Sequence, residues 1–294
     1  MKSRLSLKNS AKTGLSLFLS LTLIAGCSSS TKPTFSREDL ASSLENICTK
    51  EYKIEVKAKL VGRTLWIYLP VEDLFTKADK PEKYLEKFSV EDNSVMLKDD
   101  LLQLDYAVKN IPEKEKTQQV KYNKPVYEKI NSVWRALRRV IFSMKHSDED
   151  GPQFYCIVIA DIKNGFETME TFYGQDLKKV SYEYISWGEY QHRIIEETNV
   201  SPLILHDKNG DHLDYRDISM KEFICAQIEN RVRMKFQKPE VEVGADIDKE
   251  ILKIASTTLR IYNFNDFSAL ELNNILTQNR TILNKAAVLV KPTE

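Results

Sequence analysis

Between residues 124 and 145 the apolar side chains Val126, Ile130, Val133, Trp134, Leu137, Ile141 and Met144 recur every three or four positions. That spacing places them on one stripe of a helix, with Arg135, Arg138 and Arg139 on its polar side. Pro125 falls in the first turn, where a missing N–H breaks no helical bond. A stripe this long has to be covered by a second apolar layer. Residues 154–162 supply one: Phe154-Tyr155-Cys156-Ile157-Val158-Ile159-Ala160 reads as a strand buried on both faces.

The rest of the chain mixes the same two periods. Ser36 can cap a helix that carries Leu40, Leu44 and Ile47. Residues 52–60 alternate apolar and charged, as a half-buried strand does, and Gly62-Arg63 turns the chain into a denser apolar strand over 65–69. Residues 71–93 read as short helices and loops. Residues 95–108 carry a strand pattern broken at Asp99-Asp100, and the charged stretch 110–121 reads as a loop. Residues 164–180 are ambiguous. Ser186 and Glu189 form a capping box that predicts a helix to about residue 198. Asn209-Gly210, flanked by 203–205 and 212–215, signals a hairpin. Ser219 with Glu222 opens a helix to about 236, and Asp246 caps another through Tyr262. A short strand is expected near 267–272, with a last helix after it. The expected fold class is α+β, with long amphipathic helices packed on short mixed or antiparallel sheets. A helix, loop and strand occur in that order at 124–162 and again at 247–272, a weak hint of duplicated architecture. The expected organisation is a leader over 1–26, a tether over 27–35, an α+β domain over 36–163 and a second α+β part over 164–294. Whether those parts form one domain or two stays open.

The amino terminus has a different character. Lys2, Arg4, Lys8 and Lys12 precede an apolar run over 15–25, which ends in Ala25-Gly26-Cys27 and Ser28-Ser29-Ser30. The run is about half the ~20 residues that span a bilayer. Basic, apolar and small segments in this order resemble the signal peptide and lipobox of bacterial lipoproteins. The resemblance covers residues 1–27 only. It implies that Cys27 receives a diacylglyceryl group, that the leader is cut before it and that the new amino terminus is acylated. It also implies a protein lipid-anchored to the cell envelope. Ser28 rather than Asp after the cysteine favours the outer membrane if the cell has two. Residues 28–35 then form a flexible tether with a reach of about 28 Å at most.

Charge narrows the partners. The whole chain has 43 basic and 43 acidic side chains, and removal of the four basic leader residues leaves the mature chain four charges negative. Nucleic acid is not an expected partner at that balance. Nine glycines in 294 residues argue against Gly-rich phosphate loops.

Several residues could carry chemistry, each against a plainer reading. Asp207, Asn209 and Asp211 have the alternating spacing of a calcium loop, but His212 stands where its glycine belongs and Ile218 where its glutamate belongs. His206 and His212 could face each other across the hairpin and hold a metal. Glu189 and His192, three apart on a helix, could ligate metal, although no second such pair exists. Arg135, Arg138 and Arg139 could face anionic headgroups. The plainer readings are a hairpin turn and solvated helix faces, and Asp148-Glu149-Asp150 reads as a solvated loop. Cys48, Cys156 and Cys225 lie in apolar surroundings and read as buried thiols, with one disulfide as the alternative. No catalytic residue, metal site or cofactor is assigned. The only assigned site is the lipidated Cys27.

The expected function is a membrane-anchored envelope lipoprotein that acts as a non-catalytic interaction or assembly module, with an envelope protein as candidate partner. Two alternatives are kept. One is a small-ligand-binding lipoprotein with an aromatic cleft between Phe166 and Tyr190. The other is a hydrolase of envelope polymers that uses two close carboxylates.

Overall fold

The computed structural model describes residues 35–144, 151–237 and 241–290. Cys27 and the leader lie outside these residues, as does Asp148-Glu149-Asp150. Two mixed sheets make up the molecule. The first has strand order β1-β2-β5-β6-β7, built from β1 (Lys57–Val61), β2 (Thr64–Val71), β5 (Phe154–Asp161), β6 (Phe166–Tyr173) and β7 (Ile195–Val200). β2 and β5 are parallel and every other neighbouring pair is antiparallel. All eight residues of β5 are buried, in keeping with the apolar run that predicts it.

One face of this sheet is covered by α1 (Leu40–Ile47), α2 (Lys124–Phe142) and α3 (Gly174–Ser181). The α2 stripe Val126, Ile130, Val133, Leu137 and Ile141 packs there on Ile67, Leu69, Ile157 and Ile159. The other face exposes Trp66, Tyr68, Cys156 and Val158 to a covering loop over 205–218.

The second sheet has order β3-β4-β8-β9, with β3 (Phe75–Lys98), β4 (Leu101–Tyr122), β8 (Ala269–Asn274) and β9 (Asn279–Asn284). α5 (Met220–Gln237), α6 (Ile247–Ile261) and α7 (Lys285–Leu289) close its core around Phe88, Leu104, Phe223, Phe236, Ile251 and Leu270. The four strands β3-β4-β8-β9 repeat the arrangement of β1-β2-β5-β6. Each is an antiparallel hairpin whose second strand pairs in parallel with the first strand of another hairpin. Both sheets draw strands from either side of residue 163, and β5 pairs with β6 across that point along its whole length.

The structure corrects the expectation of long helices on short sheets. The described helices run from five residues in α7 to 19 in α2, whereas β3 and β4 have 24 and 22 residues. Of the segments 71–93 and 110–121, read as short helices and loops, residues 75–93 and 110–121 belong to this one long ribbon. Apolar periodicity is weak there because much of the ribbon is exposed. It is aligned by cross-strand ion pairs such as Lys83–Glu115 at 2.8 Å and Lys87–Glu113 at 3.1 Å. Pro81 and Pro112 sit at register shifts, where an absent N–H costs no ladder bond. The ribbon links the two sheets. Phe75 and Tyr122 at its base pack on each other, with Phe75 against Phe166 of the first sheet, while Phe88 packs on Phe236 of α5.

The helix predicted over 186–198 is also shorter. Ser186 does accept the N–H of Glu189, but α4 (Trp187–Gln191) ends after five residues. Residues 195–200 pair with β6 instead, since β-branched Ile195, Thr198 and Val200 suit an edge strand. The predicted hairpin about Asn209-Gly210 is a short 3₁₀ turn (Pro202–Ile204) followed by loop. The expected last helix is mostly β9, with only α7 after it.

Candidate interaction cleft and the clasp that frames it

The loop over 205–218 is bonded to the first sheet and its β1–β2 turn at several points along its length. Trp66 Nε1 donates to the carbonyl of Arg216 at 2.8 Å, and Tyr68 Oη donates to the carbonyl of Asp207 at 2.7 Å. Asp217 accepts from the N–H of Arg63 at 2.7 Å, and Thr64 Oγ1 accepts from the N–H of Ile218 at 2.8 Å. Gly210, at φ +75°, lets the turn press against Tyr68; a Cβ there would lie 2.9 Å from the Tyr68 ring.

At the centre is His212. Its Nδ1 lies 2.5 Å from Asp207 Oδ2 and its Nε2 lies 2.8 Å from Glu167 Oε2 on β6. Asp207 also accepts the N–H groups of Asn209 and Gly210 at 2.9 and 2.8 Å, and Glu167 accepts from Asn199 Nδ2 at 3.0 Å. Burial opposes a charge on His212, but the bonds to Asp207 and then Glu167 outweigh it and hold its pKa above the ordinary value. Burial likewise opposes the Asp207 carboxylate. The His212 bond and the backbone N–H groups outweigh it, so the carboxyl sits far below the usual range. An imidazole with a carboxylate bonded to each nitrogen is a clasp. Neither nitrogen is left to take a proton from a substrate or to bind a metal.

This settles where the predicted ligands go. His206 and His212 do not share a site: His206 occupies a left-handed turn at φ +62° and donates its N–H to Ile162 at 2.8 Å. The Asp207-Asn209-Asp211 spacing is an Asx turn rather than a calcium loop. Glu189 and His192 part company as well. Glu189 accepts from Arg193 Nε at 2.9 Å and Arg231 Nη2 at 3.1 Å, while the carbonyl of His192 accepts from Gln227 at 2.8 Å. Partial burial would raise the Glu189 pKa, but the two arginines hold it low. Arg135, Arg138 and Arg139 each have a local partner: Ser132, Ser181 and Glu51 respectively. Cys48, Cys156 and Cys225 are free, buried thiols, so the disulfide alternative is not formed. Burial pushes them up to about 11, 12 and 11. Among the described residues no group of three or more His, Cys, Asp or Glu side chains is placed to hold a metal ion.

The aromatics between Phe166 and Tyr190 do not line a common cleft: Phe172 and Tyr190 fill core, while Tyr182, Tyr184 and Trp187 are exposed. Phe172 stacks between Trp134 and Tyr155 at 4.8 and 5.3 Å, and Tyr190 is buried beside it. The open cleft lies on the opposite sheet face. Its volume is about 600 Å³, and Trp66, Glu167, Met169, Glu197, Leu213 and Arg233 line it. It opens along β7, whose residues 196–200 are exposed. The N–H of Ser201 bonds to the carbonyl of Gly165, just before β6, so the backbone N–H and C=O groups of odd-numbered β7 residues point to β6 and those of even-numbered ones point outward. Asn230 and Arg233 of α5 cover the outward carbonyls of Ile194 and Glu196 at 2.9 and 2.8 Å. Thr198 and Val200 therefore present the open part of the edge, with Val200 76% exposed.

One carboxylate pair went unseen in the sequence. Glu170 and Glu196 stand opposite each other on β6 and β7. Burial, and then the charge of Glu196, push Glu170 up to about 7 against a hydrogen bond from Trp134. Glu170 faces α2 rather than the cleft. Two glutamates on adjacent strands leave no spacing signature.

No protein-family model matches this chain, and comparisons with characterised proteins and with solved structures find no match either.

Proposed function

We propose that this chain is a bacterial envelope lipoprotein anchored through Cys27. Its body works as a non-catalytic interaction module that takes an extended segment of an envelope partner protein along β7. The carrying observation is the open edge at Thr198 and Val200 beside the cleft. An extended chain could add main-chain hydrogen bonds there and place alternate side chains at the β7 rim of the cleft, beside Glu197 and Asn199. The cleft's opening along a strand edge favours a peptide over an enclosed small molecule, and its mixed lining of Glu197, Asp214, Arg216 and Arg233 favours a polar segment of both signs. The Ala25-Gly26-Cys27 sequence supports the anchor, and Ser28 supports the outer membrane in a two-membrane cell. Among the described residues no helix is long and apolar enough to cross a membrane.

The test is a photocrosslinker at position 198 of the full-length protein, activated in the native envelope, with tag purification and mass spectrometry. One stoichiometric partner should be caught at 198, absent when the crosslinker stands at Lys57 on β1, and depleted by Val200→Pro, which removes one outward N–H. Equal or no capture at both positions, with labelled fatty acid still on Cys27, overturns the β7 reading. Unchanged fatty-acid incorporation in Cys27→Ser overturns the anchor.

A further inference from the structure

The described chain starts at Phe35, and where it starts fixes which end of the body faces the anchor. The N–H of Phe35 bonds to the carbonyl of Ser143 at 3.3 Å, and Phe35 forms a parallel bridge with Met144. The tether therefore arrives just past the carboxy-terminal end of α2. Only residues 28–34 lie between it and Cys27, so this end stays within about 28 Å of the lipidated residue.

That end carries exposed aromatic residues. Phe142, two positions before Met144, is 38% exposed and meets Tyr182 edge to face at 5.9 Å. Tyr182 is 63% exposed and Tyr184 is 80% exposed, held out by a turn in which Glu183 adopts φ +61°. Arg138 ties α2 to the same turn through Ser181 Oγ at 3.2 Å. Lys178 and Lys179 stand in the last turn of the preceding α3, and Lys178 lies beside Ile141 and Met144. Tyrosine rings with lysines nearby suit the headgroup layer, where a ring can bury its apolar body and keep its hydroxyl wet. Glu183 in the same turn and the Asp176 partner of Lys179 offset the basic residues. The contact is thus aromatic in character and depends weakly on anionic lipid.

We infer that Phe142, Tyr182 and Tyr184 form a membrane-contact surface, seated in the headgroup layer of the bilayer that holds the Cys27 lipid. This rests on the lipoprotein reading above. It also orients the body. Val200 pairs with Phe166, seven residues from Tyr173 along β6 and so roughly 23 Å away along the strand. The Tyr173 end of the sheet lies beside Met144 and Lys178. Seating the aromatic turn on the bilayer leaves the open β7 edge pointing away from it.

The test uses the full chain, processed with its own leader and reconstituted into phosphatidylethanolamine–phosphatidylglycerol vesicles. An environment-sensitive dye is placed at Tyr184→Cys or, as reference, at Leu203→Cys near the far end; the three native thiols of the body are buried. Mass spectrometry reports the Cys27 lipid and circular dichroism the fold. The expected result is a blue-shifted dye at 184, quenched several-fold more by brominated lipid than the dye at 203. Equal, water-like emission at both positions with Cys27 lipidated overturns the membrane contact and leaves the anchor standing. An unmodified Cys27 overturns both, because the tether argument goes with it.

Discussion

Arg193 Nη1 lies 2.7 Å from Asp176 Oδ1, and both side chains are sealed from solvent. Asp176 Oδ2 also accepts from Tyr262 Oη at 2.9 Å, and Glu189 carries the network on to Arg231. Asp176 is on α3 and Arg193 follows α4, beside the first sheet. Arg231 is on α5, and Tyr262 ends α6, beside the second. The network is a polar staple between the two halves.

Breaking it from one side should be severe. Arg193→Ala removes the nearer cation from the buried Asp176 carboxylate and leaves only Lys179 at 3.6 Å, which costs about 3 kcal/mol. Tyr262→Phe removes one hydrogen bond and costs about 1 kcal/mol. Urea unfolding of the two variants gives the ranking directly. Equal, small losses would show that solvent reaches Asp176 and that the staple is not sealed.

What the sequence showed and what it hid follow from how local each signal is. β5 and α2 were legible because their apolar patterns state their own burial. The α5 capping box was legible because Ser219 and Glu222 bond each other's N–H groups three residues apart. The same box at Ser186 misled about length, because what ends α4 is β6, whose free edge takes residues 195–200. The ribbon was hidden because the partners that align it, such as Lys83 and Glu115, lie 32 residues apart. His212 drew notice as a metal ligand, but its partner Glu167 is 45 residues away and turns it into a clasp.

That clasp has a pH window. His212 titrates above its ordinary value near 6.5, so its contribution is complete below about pH 6.5 and is lost as pH rises through the raised value. Asp207 titrates well below the usual carboxylate range. Its contribution is present above about pH 4 and is lost only toward strong acid. Hydrogen exchange in residues 205–218, corrected for intrinsic rate, should quicken from mildly acidic to alkaline pH before global unfolding. His212→Ala should abolish this dependence and cost about 3 kcal/mol. Loop protection that stays flat over that range and unchanged in the variant would rule the clasp out.

Glu170 has the opposite origin and a distinct signature. Its carboxyl is raised to about 7 by burial and by Glu196 across the strand pair. The folded state holds the proton more tightly than the unfolded one, so this stability is present near pH 4.5 and is lost as pH rises through about 7. Glu170→Gln keeps the shape without the charge. It should remove that downward slope and be the more stable protein above pH 8. Thermal melts across pH separate the two histories, since His212→Ala leaves the Glu170 slope in place.

The ribbon should split into a held part and a loose part. Lys83 and Glu115 are both more than half exposed, so Lys83→Ala should change stability by less than about 0.5 kcal/mol. Phe88 is buried against Phe236 with ring centroids 5.2 Å apart, so Phe88→Ala should cost about 3–4 kcal/mol. The difference locates where the ribbon stops being a free pair of strands and becomes the wall of the second core. If Lys83→Ala proved as damaging as Phe88→Ala, the exposed stretch would have to pack on something, and a second copy of the chain would be the first candidate to weigh by sedimentation.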